Sequence, residues 1–390
     1  MKHKAVHLTS VHYPFDTRIF HRQCTSLSQA GYDVTLVVPV AGGDQLVNGI
    51  KVRALRPPKD RRERMTRTMW ELYRAAVDEN GDVYHFHDPE LLPVGVLLKL
   101  RGKRVIYDVH EDFKGNMQGK QWIPFGLHRQ AAIAVNICEA TLGRACDRII
   151  AATPTIARNF PPKRTRLVQN YPWMHELETV DAPAYETREA IAIYVGWLDD
   201  QRGMREMRRA VELASKEIPV KLILGGKVIG GGKSKFAEEE AIDCVEYLGF
   251  LSRPQVRDLI ARAKIGMVTI LPTANTINAQ PTKMFEYMSG GLPVIASDFP
   301  VNREIIEAVD CGLLVDPRDP AAIADAILSL LKNPSRAAEM GRNGKRAVSE
   351  KYNWEREAQS LLGVYKELLP AQTANAEIPS GRIVSERKKL

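Results

Sequence analysis

The chain holds 390 residues, 44% of them hydrophobic, with a net charge of +8. That length exceeds what one core sustains, so two domains of under ~200 residues each are expected. No run of ~18 apolar residues occurs, which argues against a transmembrane helix, and the first ten residues lack a secretory layout, so a cytoplasmic protein is expected.

In chain order, short apolar runs alternate with longer amphipathic ones, the pattern of parallel sheets with helical crossovers. Strands are expected at Ala5–Thr9, Val34–Val38, Val52–Leu55, Val83–Phe86, Arg104–Asp108, Arg148–Ala151 and Arg166–Val168. The first strand leads into Val11–Cys24, which carries Asp16, Arg18 and His21. No G-x-G-x-x-G follows that strand, which argues against an ordinary dinucleotide domain.

Lys59–Arg74 has six Lys/Arg against three acids, interleaved with Met65, Met69, Trp70 and Tyr73. Such a helix suits an anionic membrane surface or a solvated face packed on the sheet by its aromatic side. Trp122, Ile123, Phe125 and Leu127, flanked by Lys120 and His128, form a second apolar–basic group. Two segments at strand ends, YHFHDP (84–89) and YDVHED (107–112), place His85, His87, Asp88, His110 and Glu111 within reach of one another. These residue types suit a metal site or buried hydrogen-bonded histidines.

Residues 173–190 are acidic, contain proline and lack a period, and read as a linker. The alternation then restarts, with strands at Ala190–Val195, Val220–Leu224, Val245–Leu248, Ile265–Ile270, Pro293–Ala296 and Leu313–Val315. All nine histidines lie at or before His175, so the two halves are expected to do different chemistry. GGKVIGGGKS (225–234) puts Lys227 where a phosphate loop needs its first glycine, and reads as a glycine-rich turn. In NTINAQPTKMFEYMSGGLPVIASDFP (275–300), Pro281 opens a helix and Gly290–Gly291 ends it. Its N-terminus, with Lys283 in the first turn, is a ready site for a diphosphate, and Glu286 one turn on suits ribose hydroxyls. Residues 352–370 read as a C-terminal helix and 371–390 as a disordered tail. The five cysteines show no C-x-x-C spacing, as expected of reduced thiols.

FEYMSGGLPVIASDFP resembles the donor-binding segment of the retaining glycosyltransferases of family 4, the glycosyl transferases group 1 type. Those enzymes carry two acids separated by seven residues; Glu286 matches the second, and Asn278 stands where the first would be. YVGWLDDQRG (194–203) matches the segment whose two cations hold the diphosphate, with Trp197 at the first cationic position and Arg202 at the second. The resemblance implies a GT-B fold: two Rossmann-like doubly wound domains facing across a cleft. Residues 1–172 would form the acceptor side and 191–351 the nucleotide-sugar side, with the C-terminal helix crossing back to the first domain.

What the resemblance implies for the site follows. Gly196, Arg202, Lys283, Met284 and Glu286 would hold the donor diphosphate and ribose. His110 and Asn278 would orient the sugar, and Asp16, Arg18, His21 and His87 would line the acceptor side. Transfer of a hexose with retention, to a glycan or lipid-linked acceptor in cell-surface polysaccharide or glycoconjugate synthesis, is implied. No metal or other cofactor is implied beyond the nucleotide-sugar co-substrate, and the basic helix suits peripheral membrane contact. Asn278 in place of an acid suggests a donor sugar bearing negative charge. Alternatives of the same fold are a nucleotide-sugar 2-epimerase and a non-catalytic nucleotide-sugar binder. Nucleic-acid binding, prompted by the charge alone, lacks a reader motif.

Overall fold

The computed structural model describes residues 2–110, 139, 141–177, 183–228, 242–273 and 276–369. Glu111, the 120–128 segment, Cys138, most of the glycine-rich turn and the tail after Leu369 lie outside them. The chain divides into two compact units, Met1–Gln169 with Glu357–Leu390, and Asn170–Arg356.

The first unit is built on an eight-stranded sheet: β1 (Lys4–Leu8), β2 (Asp33–Pro39), β3 (Gln45–Val47), β4 (Ile50–Leu55), β5 (Val83–Phe86), β6 (Arg104–Val109), β7 (Arg148–Ala151) and β8 (Thr165–Leu167). Their order is β3-β4-β2-β1-β5-β6-β7-β8. All neighbours are parallel except β3 and β4, which form an antiparallel hairpin. That hairpin was not expected from the apolar pattern, because Gln45–Val47 is exposed or half-buried. Its turn is Asn48–Gly49, both at positive φ (51° and 75°). This is the backbone a two-residue hairpin turn requires, and Asn-Gly is the pair that adopts it most readily. The runs VTLVV and RVIYDV are buried along nearly their whole length, as strands covered on both faces must be.

The basic segment forms a helical stretch that begins at Arg61 and continues as α2 (Met69–Glu79), after α1 (Thr25–Gln29). Asp60 caps its start by accepting from the Glu63 amide at 2.8 Å. Leu72, Ala75 and Ala76 face the core, while Met65 and Trp70 remain 41% and 51% exposed. Arg67 pairs with the segment's own Glu63 and Glu71, and Arg64 with Glu90 in the turn after β5. The Arg74 guanidinium lies over the Trp70 ring at 5.4 Å.

The second unit carries β9 (Ile191–Val195), β10 (Lys221–Gly225), β11 (Val245–Gly249), β12 (Ile265–Val268), β13 (Val294–Ser297) and β14 (Gly312–Val315). All pairs are parallel, in the order β11-β10-β9-β12-β13-β14. Successive residues of β9 feed opposite faces, Ala192 and Tyr194 into one core, Ile191 and Ile193 into the other, as the strand period of two dictates. Every parallel strand expected from the alternation is present, with ends moved by one or two residues.

The segment expected to be a linker packs on the second unit instead. Just before it, Tyr171 sits edge-on to Phe285 at 4.7 Å and to Tyr352 at 5.4 Å. Tyr185 is buried in that unit's core and donates to the Lys264 carbonyl at 3.0 Å. The acidic, proline-bearing composition suggested a linker, but two of its aromatics, Trp173 and Tyr185, are buried and supply apolar surface that anchors it.

In both sheets the strand order reverses direction beside the first strand, between β1 and β5 and between β9 and β12. Ligands of open α/β sheets bind beyond the carboxyl ends of strands at such points.

Candidate functional site

In the second unit the carboxyl end of β9 leads to Gly196, at φ +154°. A Cβ there would overlap the Cε and Nζ of Lys283. Glycine is therefore what lets the lysine lie across this turn. Lys283 is in the first turn of a helix, Thr282–Ser289, opened by Pro281 and ended at Gly290, as the sequence implied. Its ammonium sits 5.8 Å from the Tyr194 ring centroid. Burial pushes its pKa down and the neighbouring Arg202 and Arg253 push the same way, with Glu286 opposing. The cluster is thus short of negative charge.

Arg202 ends a short turn that Asp199 caps, accepting from the Arg202 amide at 2.9 Å. It lines a concave pocket beside the helix N-terminus together with Thr276, Gln280, Thr282 and Asn302, with Ile270 and Phe299 as an apolar wall. Asn302 donates to the Ser297 carbonyl at 2.9 Å. Its buried Oδ1 has no partner among the described residues. A helix N-terminus with Arg202 and Lys283 near it, and the unmet Asn302 oxygen in the pocket wall, suits a diphosphate and a hydroxylated group beside it.

Glu286 is buried and held by Arg253, a residue the sequence did not single out: Nη1 donates to Oε1 at 3.0 Å. Arg253 also donates through Nε to Glu176 at 2.7 Å. Met284 does not belong to a binding set. Its side chain is fully buried in the core, and its amide already donates to the Pro281 carbonyl at 3.2 Å. An apolar side chain on the inward stripe of an amphipathic helix packs rather than binds. Asn278 is exposed on the turn before the helix, and Trp197 is 53% exposed.

In the first unit the strand ends of β1, β5 and β6 gather five histidines. Buried Asp108 receives Arg18 in a bidentate pair, Nε at 3.0 Å and Nη2 at 2.7 Å, and Gln23 Nε2 at 2.7 Å. Burial alone would raise its pKa, but Arg18 and His87 hold it well below the usual range. Asp108 is therefore an anion that only accepts, and this orders every proton behind it. His87 Nδ1 donates to Asp108 at 3.1 Å. His7 Nδ1 then donates to His87 Nε2 at 3.0 Å, and the Tyr365 hydroxyl to His7 Nε2 at 3.1 Å. His85 Nδ1 donates to the Tyr365 oxygen at 3.0 Å. Only His85 Nε2 keeps a lone pair, buried and without a partner among the described residues.

His7, His85 and His87 bring nitrogens within 4.8 Å of one another. A cation there would have to break this chain, since a proton already lies between His7 and His87. In the other candidate group, His87, Asp108 and His110, Asp108 is already engaged by Arg18, Gln23 and His87. The donor sets suit a hydrogen-bonded network better than a metal.

Three acceptor-side expectations are corrected by this geometry. Arg18 is 4% exposed and neutralised by Asp108, so it is not a mouth residue. His87 is buried with both nitrogens engaged. Asp16 caps the turn that follows it, accepting from the amides of Arg18 at 2.8 Å and Ile19 at 2.9 Å. His21 alone of that set is exposed.

Above the buried chain lies a second cluster. Asp88 accepts from Thr9 Oγ1 at 2.8 Å and the Ser10 amide at 2.6 Å, and His12 Nε2 lies 3.3 Å from its Oδ1. Burial opposes its ionisation, yet His12 and these hydrogen bonds hold its pKa at about 2. His12 Nε2 also lies 2.9 Å from His110 Nε2. Burial lowers the pKa of His110 to about 4, against the pull of Asp108. His12 was not singled out from the sequence, since nothing in a lone loop histidine marks a partner 98 positions away.

Residues 178–347 match the family model described as glycosyl transferases group 1, and residues 17–168 match that of glycosyltransferase family 4. An uncharacterized glycosyltransferase of Methanocaldococcus jannaschii is 25% identical over 202 residues, 50% of each chain. The match thus spans half the length of that relative. Among solved structures, sucrose-phosphate synthase from Thermosynechococcus elongatus superposes with a TM-score of 0.73 at 20% identity, over 94% of this chain and 99% of that one. Anabaena HepE in complex with UDP and glucose gives 0.72 at 15% identity, over 94% and 100%. The two family models together take in most of the described chain, and the solved structures share its paired parallel sheets. The chain belongs to the group 1, family 4-type glycosyltransferases of the GT-B fold.

Proposed function

We propose that this chain moves a hexose from a nucleoside-diphosphate sugar to a glycan or lipid-linked acceptor, with retention at the anomeric carbon. The observation that carries the reading is Arg202 and the Thr282–Ser289 N-terminus lining one pocket, with Lys283 buried in that helix's first turn. These groups would stabilise the charge that grows on the departing diphosphate, where fixed cations and amides contribute most. Glu286 would accept from the ribose, and Asn278 and His110 would orient the sugar. The bond from the anomeric carbon to the phosphate oxygen breaks as the acceptor oxygen bonds the same face. The acceptor proton passes to the departing phosphate. The charge requirement is met by side chains, so the reading assigns no step to a metal.

HepE, of like fold, was solved with UDP and glucose, which favours a uridine donor as the first to try. Among the described residues no helix is long and apolar enough to cross a membrane. Exposed Met65 and Trp70 within a basic helix favour a peripheral, cytoplasmic-face contact with anionic lipid. The setting would be cell-surface polysaccharide or glycoconjugate synthesis.

The test incubates the protein with UDP-, GDP-, ADP- and dTDP-sugars and a panel of glycan and lipid-linked acceptors, and reads products by NMR. Transfer that preserves the donor's anomeric configuration supports the reading. An inverted product contradicts retention, and an epimerised nucleotide sugar formed without acceptor contradicts transfer.

A further inference from the structure

We propose that His12 and Asp88 are positioning residues that lock His110 into the tautomer protonated at Nδ1, leaving that N–H to donate to a ligand oxygen. The inference rests on the reading of His110 as the group beside the donor sugar.

Three observations carry it. First, His12 Nε2 faces two atoms at once, Asp88 Oδ1 at 3.3 Å and His110 Nε2 at 2.9 Å. Asp88 is fed by the Thr9 hydroxyl and the Ser10 amide. A carboxylate so placed only accepts, so the proton on His12 sits on Nε2. Second, His110 Nε2 faces that N–H and must offer its lone pair. A neutral imidazole has one proton, so His110 carries it on Nδ1. Third, His110 Nδ1 is buried and has no partner among the described residues. A buried donor left unmet marks a place that a ligand atom fills.

The cluster is braced from outside the strand ends. The Ser10 hydroxyl donates to Glu90 at 2.6 Å, and Glu90 pairs with Arg64 on the basic helical stretch. All these groups belong to the first unit. The logic is that of a carboxylate and an imidazole fixing which nitrogen of a second imidazole is protonated.

The test uses the full chain labelled with 15N-histidine. Long-range proton–nitrogen spectra distinguish the two tautomers of each imidazole, and His110→Gln identifies the His110 signals. The proposal expects the Nδ1–H form in the wild type and a shift toward Nε2–H, or a tautomer mixture, in Asp88→Asn and His12→Leu. It expects kcat to fall by about 10–100-fold in both, the loss that removing the outer partner of a metal-bound histidine commonly causes. The acceptor KM should stay unchanged, and His12→Gln, whose amide still donates, should restore most of kcat. Wild-type His110 in the Nε2–H form, or a tautomer indifferent to both substitutions, overturns the proposal. If the tautomer shifts but kcat does not, the positioning role stands and the placement of His110 beside the donor sugar falls.

Discussion

Arg253 grips Glu286 across 33 residues of chain, donating from Nη1 to Oε1 at 3.0 Å while its Nε holds Glu176. The carboxylate proposed to receive the ribose is therefore pre-aimed by a guanidinium. Arg253→Met should remove the guanidinium that aims Glu286. The donor KM is expected to rise about tenfold with a smaller change in kcat, the signature of lost ground-state binding. Steady-state kinetics with donor varied at saturating acceptor reads this. An unchanged donor KM would make Arg253 a purely structural residue.

Gly196 tests the diphosphate cradle from the backbone side. Gly196→Ala places a methyl where Lys283 lies, at a φ of +154°. The fold should lose roughly 1–3 kcal/mol from backbone strain. Nucleotide affinity should fall more than that strain explains, because the lysine must leave its turn. Calorimetric titration with the nucleoside diphosphate compares the two; affinity equal to wild type would place Lys283 outside the binding event.

The Arg18–Asp108 pair is a stability element, with both side chains nearly or fully buried. Arg18→Met strands the carboxylate in the core and should destabilise the first unit by about 3–5 kcal/mol. Urea denaturation followed by tryptophan fluorescence measures it. A loss under roughly 1 kcal/mol would mean the pair is replaced by other partners.

His7 and His85 give the first unit an acid limit. Burial first, and then neighbouring histidines, hold the pKa of both well below the ordinary imidazole value of about 6.5. Below that pH the unfolded chain takes up protons that the folded chain refuses. Stability is full above about pH 6.5 and falls as pH drops beneath it, by up to about 1.4 kcal/mol per pH unit for each histidine. Urea midpoints between about pH 7.5 and 5 should decline, and His85→Leu should flatten part of that slope. A midpoint that is level across the range would show that these imidazoles charge as freely folded as unfolded.

Local physics was legible in the chain. Pro281 and Gly290 bracketed the helix that carries Lys283 and Glu286, and apolar runs gave the parallel strands. The Asn48–Gly49 hairpin had its signal in two residues, but its outer strand buries too little to show a period. Arg18 was misplaced because a charged residue is by default a surface residue, and only Asp108, 90 positions on, reverses that. The same holds for Tyr365, whose hydroxyl meets His7 358 positions away. Pairings of this range exist only once the sheet is assembled, so no spacing in the sequence announces them.

The most direct test of the central claim is a thermal-shift screen against UDP, GDP, ADP, dTDP and their sugar conjugates, with wild type and Glu286→Ala side by side. A ligand bound by the folded state alone raises the melting temperature in step with its affinity. The account predicts that one nucleotide series stabilises the wild type and that the gain is lost or much reduced in Glu286→Ala. A full series without effect on the wild type, or an equal shift in both proteins, would contradict a nucleotide-sugar site built on Arg202, Lys283 and Glu286.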